Sequence, residues 1–245
     1  MIKIDTVYQK VLALANKEQR GYLTPQDFNL FADHAQKEIF EQYFYDLNQF
    51  KRVPGNSSGY ANMVKILEEK ISLFEVYDKE HSVVGSSGGV NLDQHDDVYR
   101  LTMVRVSYPG ATFKKAEQIQ LSELNNIGDS PLTRWSKQRP VYTRYTTFSG
   151  DYPDTIKIYP YPESGNNAFV SYIKKPVPPN WNYQIVNEKP FFLNNSESIN
   201  FTLHPSEESE LVYRILALAG VQVEKPQLTQ TAMTLETAKV QQEKQ

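Results

Sequence analysis

Four histidines, His34, His81, His95 and His204, hold all the imidazole chemistry of this 245-residue chain, and no two stand at the four-residue spacing that puts metal ligands on one helix face. Asp93, His95, Asp96 and Asp97 crowd one polar patch. A calcium loop also needs alternating ligands, a glycine and a distal acid, so the patch reads as a polar loop. The run Gly85-Ser-Ser-Gly-Gly89 lacks the Lys-Ser/Thr that would follow a phosphate cradle and reads as a linker or lid. Glu207 and Glu208 are adjacent carboxylates at an expected helix start, where capping and the helix dipole account for them. Asn194-Asn-Ser196 and Asn200-Phe-Thr202 spell glycosylation triplets with no secretory signal to give them meaning. Arg134, Lys137, Arg139 and Arg144 lie near Trp135, Tyr142 and Tyr145, a mixture that stacks on and neutralises a nucleic-acid strand or, alternatively, builds a subunit contact. No catalytic set emerges, and the sequence predicts no metal and no cofactor.

Composition narrows the classes further. The chain has no cysteine, which removes disulfide, thiolate and cysteine–metal chemistry together and fits synthesis in a reducing cytoplasm. Its net charge of −3 supplies no field for steering toward nucleic acid. No apolar run is long enough to span a bilayer, and the start, MIKIDTVYQKVLALANKEQ, mixes acids and lysines unlike a secretory leader. Sixteen Tyr and twelve Phe against two Trp are the compositional excess. Tyrosine suits surfaces that are apolar on one side and wet on the other, and it is equally at home on strands.

These residues have to be positioned by elements whose periodicity is readable. Val7, Val11, Leu14 and Ala15 predict a helix over 5–19, ended by Gly21. Thr24-Pro25-Gln26-Asp27 is a helix start, followed by Phe28, Phe31, Ala32, Ala35, Ile39, Tyr43, Leu47 and Phe50 at three- and four-residue steps. The run 52–59 breaks that helix, and a third is predicted over 62–76 through Met63, Ile66, Leu67, Ile71 and Phe74. Strands are predicted over 98–108, 112–116, 118–121 and 141–148, with a helical turn near 121–127 and a loop over 129–140. The strand 141–148 is expected to pair with 155–159. The segment 155–178 reads as two strands joined by the turn Glu163-Ser-Gly-Asn-Asn167, bracketed by Pro160, Pro162, Pro176, Pro178 and Pro179. An irregular stretch follows to 203, anchored by Trp181, Phe191 and Phe192. A last helix starts at Pro205, carries Leu211, Val212, Ile215, Leu216 and Ala219, and stops at Gly220. The tail 229–245 is polar, with Met233, Leu235 and Val240 as sparse anchors, and reads either as a last helix or as an arm that orders only on a neighbour. The expectation is an α+β fold: antiparallel N-terminal helices over 1–80, an antiparallel β region over 81–203, and a C-terminal helix with a polar interaction arm over 204–245, together forming one structural unit.

Three of these features resemble the ring or adaptor proteins of the head–tail connector in short-tailed, crAss-like bacteriophages. They are the helix pair with Arg20-Gly-Tyr-Leu-Thr-Pro-Gln-Asp-Phe28 leading into Ala35-Gln-Lys-Glu-Ile-Phe-Glu-Gln-Tyr-Phe44 and Asp46-Leu-Asn48, the strand pair 156–178, and Glu208-Ser-Glu-Leu-Val-Tyr-Arg-Ile-Leu-Ala-Leu-Ala-Gly-Val221 with its polar tail. The resemblance spans most of the chain, and its β region is larger than in the mostly helical adaptors. It implies a non-enzymatic virion subunit in a homo-oligomeric ring, usually twelve-fold, stacked beneath the portal. Portal or other ring and tail proteins would be its neighbours, and genomic DNA would pass without sequence recognition. Trp135, Arg139, Tyr142, Tyr145, Met233, Leu235 and Val240 are then the candidate subunit-contact residues. Two other classes compete. A carbohydrate- or receptor-binding tail module would stack sugars on Trp135, Tyr142 and Tyr145, and a hydrolase would need the fold to assemble a histidine or carboxylate pair.

Overall fold

The structure, a computed structural model, describes residues 1–16, 23–52, 58–83, 89–92, 97–108, 112–145, 155–162 and 167–222, together with Thr234 and Thr237. Its helices are α1 (Ile4–Asn16), α2 (Pro25–Arg52), α3 (Ser58–Ser72), α4 (Leu124–Asp129) and α5 (Glu208–Gln222). Its strands are β1 (Glu75–Ser82), β2 (Gly89–Asn91), β3 (Val98–Val106), β4 (Lys114–Gln118), β5 (Val141–Tyr145), β6 (Thr155–Tyr159), β7 (Asn167–Lys174), β8 (Tyr183–Val186) and β9 (Lys189–Phe192). The fold is α+β, with helices toward both chain ends and a large, curled, mostly antiparallel sheet. Contacts close around two compact units: Met1–Leu73 with Pro176–Gln245, and Phe74–Lys175. The stretch 176–203, assigned from sequence to the β region, thus belongs with the helices.

In the helical unit, α2 starts where its cap predicts. The Thr24 hydroxyl accepts the Asp27 amide at 3.1 Å and donates to the Asp27 carboxylate at 2.5 Å. The buried stripe of α2 runs through Phe28, Ala32, Ala35, Ile39 and Tyr43, with Phe31, Leu47 and Phe50 half-buried. It packs against α3 and α5, while α1 packs against α5. That orientation of α1 leaves Leu14 40% exposed, so Leu14 is not part of the expected packing on α2, although Val11 is fully buried. The third helix ends at Ser72 rather than 76. The Phe74 carbonyl accepts the Lys174 amide at 2.9 Å, and Glu75 and Val76 already lie in β1. Gly220 does not stop α5, which continues to Gln222 with Gly220 buried inside it.

The irregular stretch is held by side chains that periodicity does not single out. Gln36 on α2 is fully buried. It donates to the Val177 carbonyl at 2.8 Å and accepts the Thr202 amide at 3.0 Å. Trp181 is buried as expected, its indole donating to Asp5 at 3.0 Å and its amide to Asn29 at 2.8 Å. Phe192 stacks on Trp181, whereas Phe191 is no anchor and faces solvent.

In the sheet unit the strand order is β1-β7-β3-β4-β5-β6-β2, antiparallel except for β4 with β5. The expected pairing of β5 with β6 is present, Val141 opposite Tyr159 and Tyr145 opposite Thr155. The strands predicted over 155–178 exist but are not each other's partners. β6 pairs with β5 and β2, and β7 with β3 and β1. They meet through the core instead: Ile156 and Ile158 share one buried cluster with Val170, Tyr172, Val104, Val106, Val90 and Tyr142. Register shifts along β3, between Val98 and Arg100 and between Leu101 and Met103, turn Val104 inward and leave Met103 half-buried. The two candidate strands at 112–116 and 118–121 are the single strand β4, and the expected helical turn is a 3₁₀ turn, Leu121–Glu123, leading into α4. The expected stop at Gly21, the turns at 149–153 and 163–166, the loops at 85–88 and 94–96, and the anchors Met233, Leu235 and Val240 lie outside the described residues.

Candidate functional site

Glu208 and Glu210 stand in the first turn of α5, and a 3₁₀ turn, Pro205–Glu207, leads into it, capped by His204, whose Nδ1 accepts the Ser206 amide at 3.3 Å. Glu207 is buried against the Lys70 ammonium at 2.5 Å, and Lys70 also lies over the Tyr43 ring. Glu210 is buried against Arg214 at 2.6 Å, and the same guanidinium reaches Gln42 and, at 3.6 Å, Glu38. A buried carboxylate must be paired, and α3 and α5 each supply the cation one of these acids needs. Beside them lies a cleft of about 270 Å³. Ile39, Tyr43, Phe50, Met63, Ile66 and Leu67 give it apolar lining, and Gln42, Asp46, Lys70 and Glu207 are among its polar groups.

On the sheet unit the sequence-predicted residues separate. Trp135 is half-buried; its ring lies 5.1 Å from that of Tyr159 and its edge over Gly128. A Cβ at Gly128 would come within 2.5 Å of the indole, so this approach needs glycine. Arg139 is exposed and paired with Glu117 at 3.1 Å. Tyr142 is only 5% exposed and belongs to the core, its hydroxyl donating to Gln118 at 3.3 Å, so its ring is not available to stack on a base, a sugar or a neighbour. Burial raises its pKa, with Arg144 opposing. Tyr145 is half-buried at the end of β5. The aromatic row is instead Trp135, Tyr159 and Tyr161, with Tyr159 and Tyr161 5.2 Å apart and the Lys157 ammonium over both tyrosine rings. The alternation Lys157-x-Tyr159 on β6 carried that signal, because residues two apart share a strand face.

A second surface was not visible in sequence. Asp78 sits at the irregularity of β1 with φ 54°, a strained value for a non-glycine residue, and its carboxylate pairs with Arg105 of β3. The Arg105 guanidinium lies over Phe113 and over Tyr77, which is 72% exposed, and Phe113 meets Phe169 edge-on at 4.9 Å. In the helical unit, the β8–β9 hairpin pairs with no third strand among the described residues and exposes Ile185, Val186 and Phe191. Its turn residues Asn187 and Glu188 both have positive φ, as a tight hairpin requires.

Chemistry is sparse by comparison. The letters Gly85-Ser-Ser-Gly-Gly89 also spell Gly-x-Ser-x-Gly, but a nucleophile elbow turns from strand into helix, and Gly89 opens β2. Among the described residues no group of His, Asp or Glu converges to hold a metal ion, and no helix is long and apolar enough to cross a membrane. No family model matches the chain, and no curated protein is significantly similar to it.

Proposed function

We propose that this chain is a structural subunit of a ring in a bacteriophage head–tail connector. The observation that carries the reading is large apolar side chains held exposed on ordered backbone in both units: Tyr77 and Phe113 around Arg105 on the sheet, Ile185 and Phe191 on the hairpin. Aromatic residues and arginine on rigid elements are the usual anchors of protein interfaces. Two different patches on one chain suit a head-to-tail contact, which closes into a ring where the rotation between copies allows it and otherwise runs on as a filament. The resemblance of the helix pair and C-terminal helix to connector proteins points the same way. The test is native mass spectrometry and electron microscopy of the purified chain, alone and with its portal. Closed rings of one copy number are expected, and a chain monomeric under both conditions would overturn the reading.

The row Trp135–Tyr159–Tyr161 beside Lys157 favours a second reading, a glycan- or receptor-binding tail module. Affinity for oligosaccharides that is lost in Tyr161→Ala would support it.

A further inference from the structure

We infer that the cleft between α2, α3 and the start of α5 receives the C-terminal segment 223–245 of a neighbouring copy, an inference that rests on the ring reading. At about 270 Å³ the cleft is near the lower end of small-molecule sites. Phe50, Met63, Ile66 and Leu67 make its wall apolar, and Lys70 is already matched by Glu207. Such a groove takes a few aliphatic side chains from an amphipathic segment.

The chain itself supplies one. Past the end of α5 at Gln222 the sequence runs on to Gln245, with Leu228, Met233, Leu235 and Val240 spaced among polar residues. Extended, each residue spans up to about 3.5 Å, so the segment can reach well beyond the end of α5. Ser206, Glu207 and Glu210 line the cleft, so α5 begins there and carries the chain away over its 15 residues, about 22 Å at the helical rise. Reaching its own cleft would mean doubling back along the whole of α5.

The absence of cysteine makes the test clean. Full-length Met63→Cys and Leu235→Cys proteins are purified separately, mixed, allowed to assemble and treated with a short bismaleimide. Crosslinked dimers are expected in the mixture and in neither protein alone, with Ile66→Glu on the Met63→Cys partner abolishing them. The double variant should give covalent ladders. Two results would overturn the inference alone: an assembled oligomer without these crosslinks, or a double variant that closes only on itself. A chain that never assembles would overturn the ring reading and this inference with it.

Discussion

At the scale of single residues, burial and pairing give the sharpest expectations. Ile39 is 1% exposed at the heart of the helical unit. Ile39→Ala should cost about 2–5 kcal/mol, measured by urea unfolding. Lys70 and Glu207 are buried together, so Lys70→Met alone leaves a carboxylate stranded and should cost about 3–5 kcal/mol. The double change Lys70→Met with Glu207→Leu should recover most of that loss, and a fully additive loss would mean the pair is not coupled. Tyr108 is buried, its hydroxyl donating to the Pro160 carbonyl at 2.8 Å, and burial pushes its pKa up to about 12. An unfolded phenol ionises near pH 10 while the folded one keeps its proton. The stability tied to Tyr108 is therefore intact below about pH 10 and is lost as pH rises toward 12, on the order of 3 kcal/mol. Tyr108→Phe should flatten alkaline unfolding in that window, and an unchanged slope would assign it to other groups.

At the scale of elements, what the sequence disclosed follows how local each signal is. The 28-residue stripe of α2 and its Thr24 cap were legible because both are written within a few residues of themselves. The pairing of β5 with β6 was legible for the same reason, whereas the partners of β7 and the second partner of β6 were not, because pairing with β1, β3 and β2 spans long separations that no local pattern encodes. Gly220 misled because a glycine signals a stop only where packing does not carry the helix onward. The cleft was equally hidden, since α5 lies far along the chain from α2 and α3, and Tyr142 looked available only until its strand found a place in the sheet. The β8–β9 hairpin yields a prediction of its own. Ile185→Ser with Phe191→Ser should shift monomer stability little, since both side chains are exposed, yet lower the assembly constant at least tenfold in analytical ultracentrifugation. Deleting 229–245 should likewise weaken assembly and spare thermal unfolding. Its three anchors contribute about 1.5–3 kcal/mol each when buried, against roughly 1–2 kcal/mol per residue of backbone entropy. Strong amide protection of that segment in a dilute monomer would count against this.

At the scale of the whole molecule, two compact units each carry their own surface features: the helical unit has the hairpin and the cleft, the sheet unit the Arg105 patch and the Trp135 row. Several distinct apolar surfaces on one chain suit repeated assembly. The ring reading gathers these surfaces into one account, with copies joined head to tail and DNA passing through the middle without sequence contacts. The most direct test is to look for the chain by electron cryo-microscopy in intact phage particles of the proposed kind. The account predicts density for α2, α5 and the seven-stranded sheet repeated in a closed ring beneath the portal and around the exit channel. Density at the tip of a tail fibre or spike, or none in the particle, would contradict it.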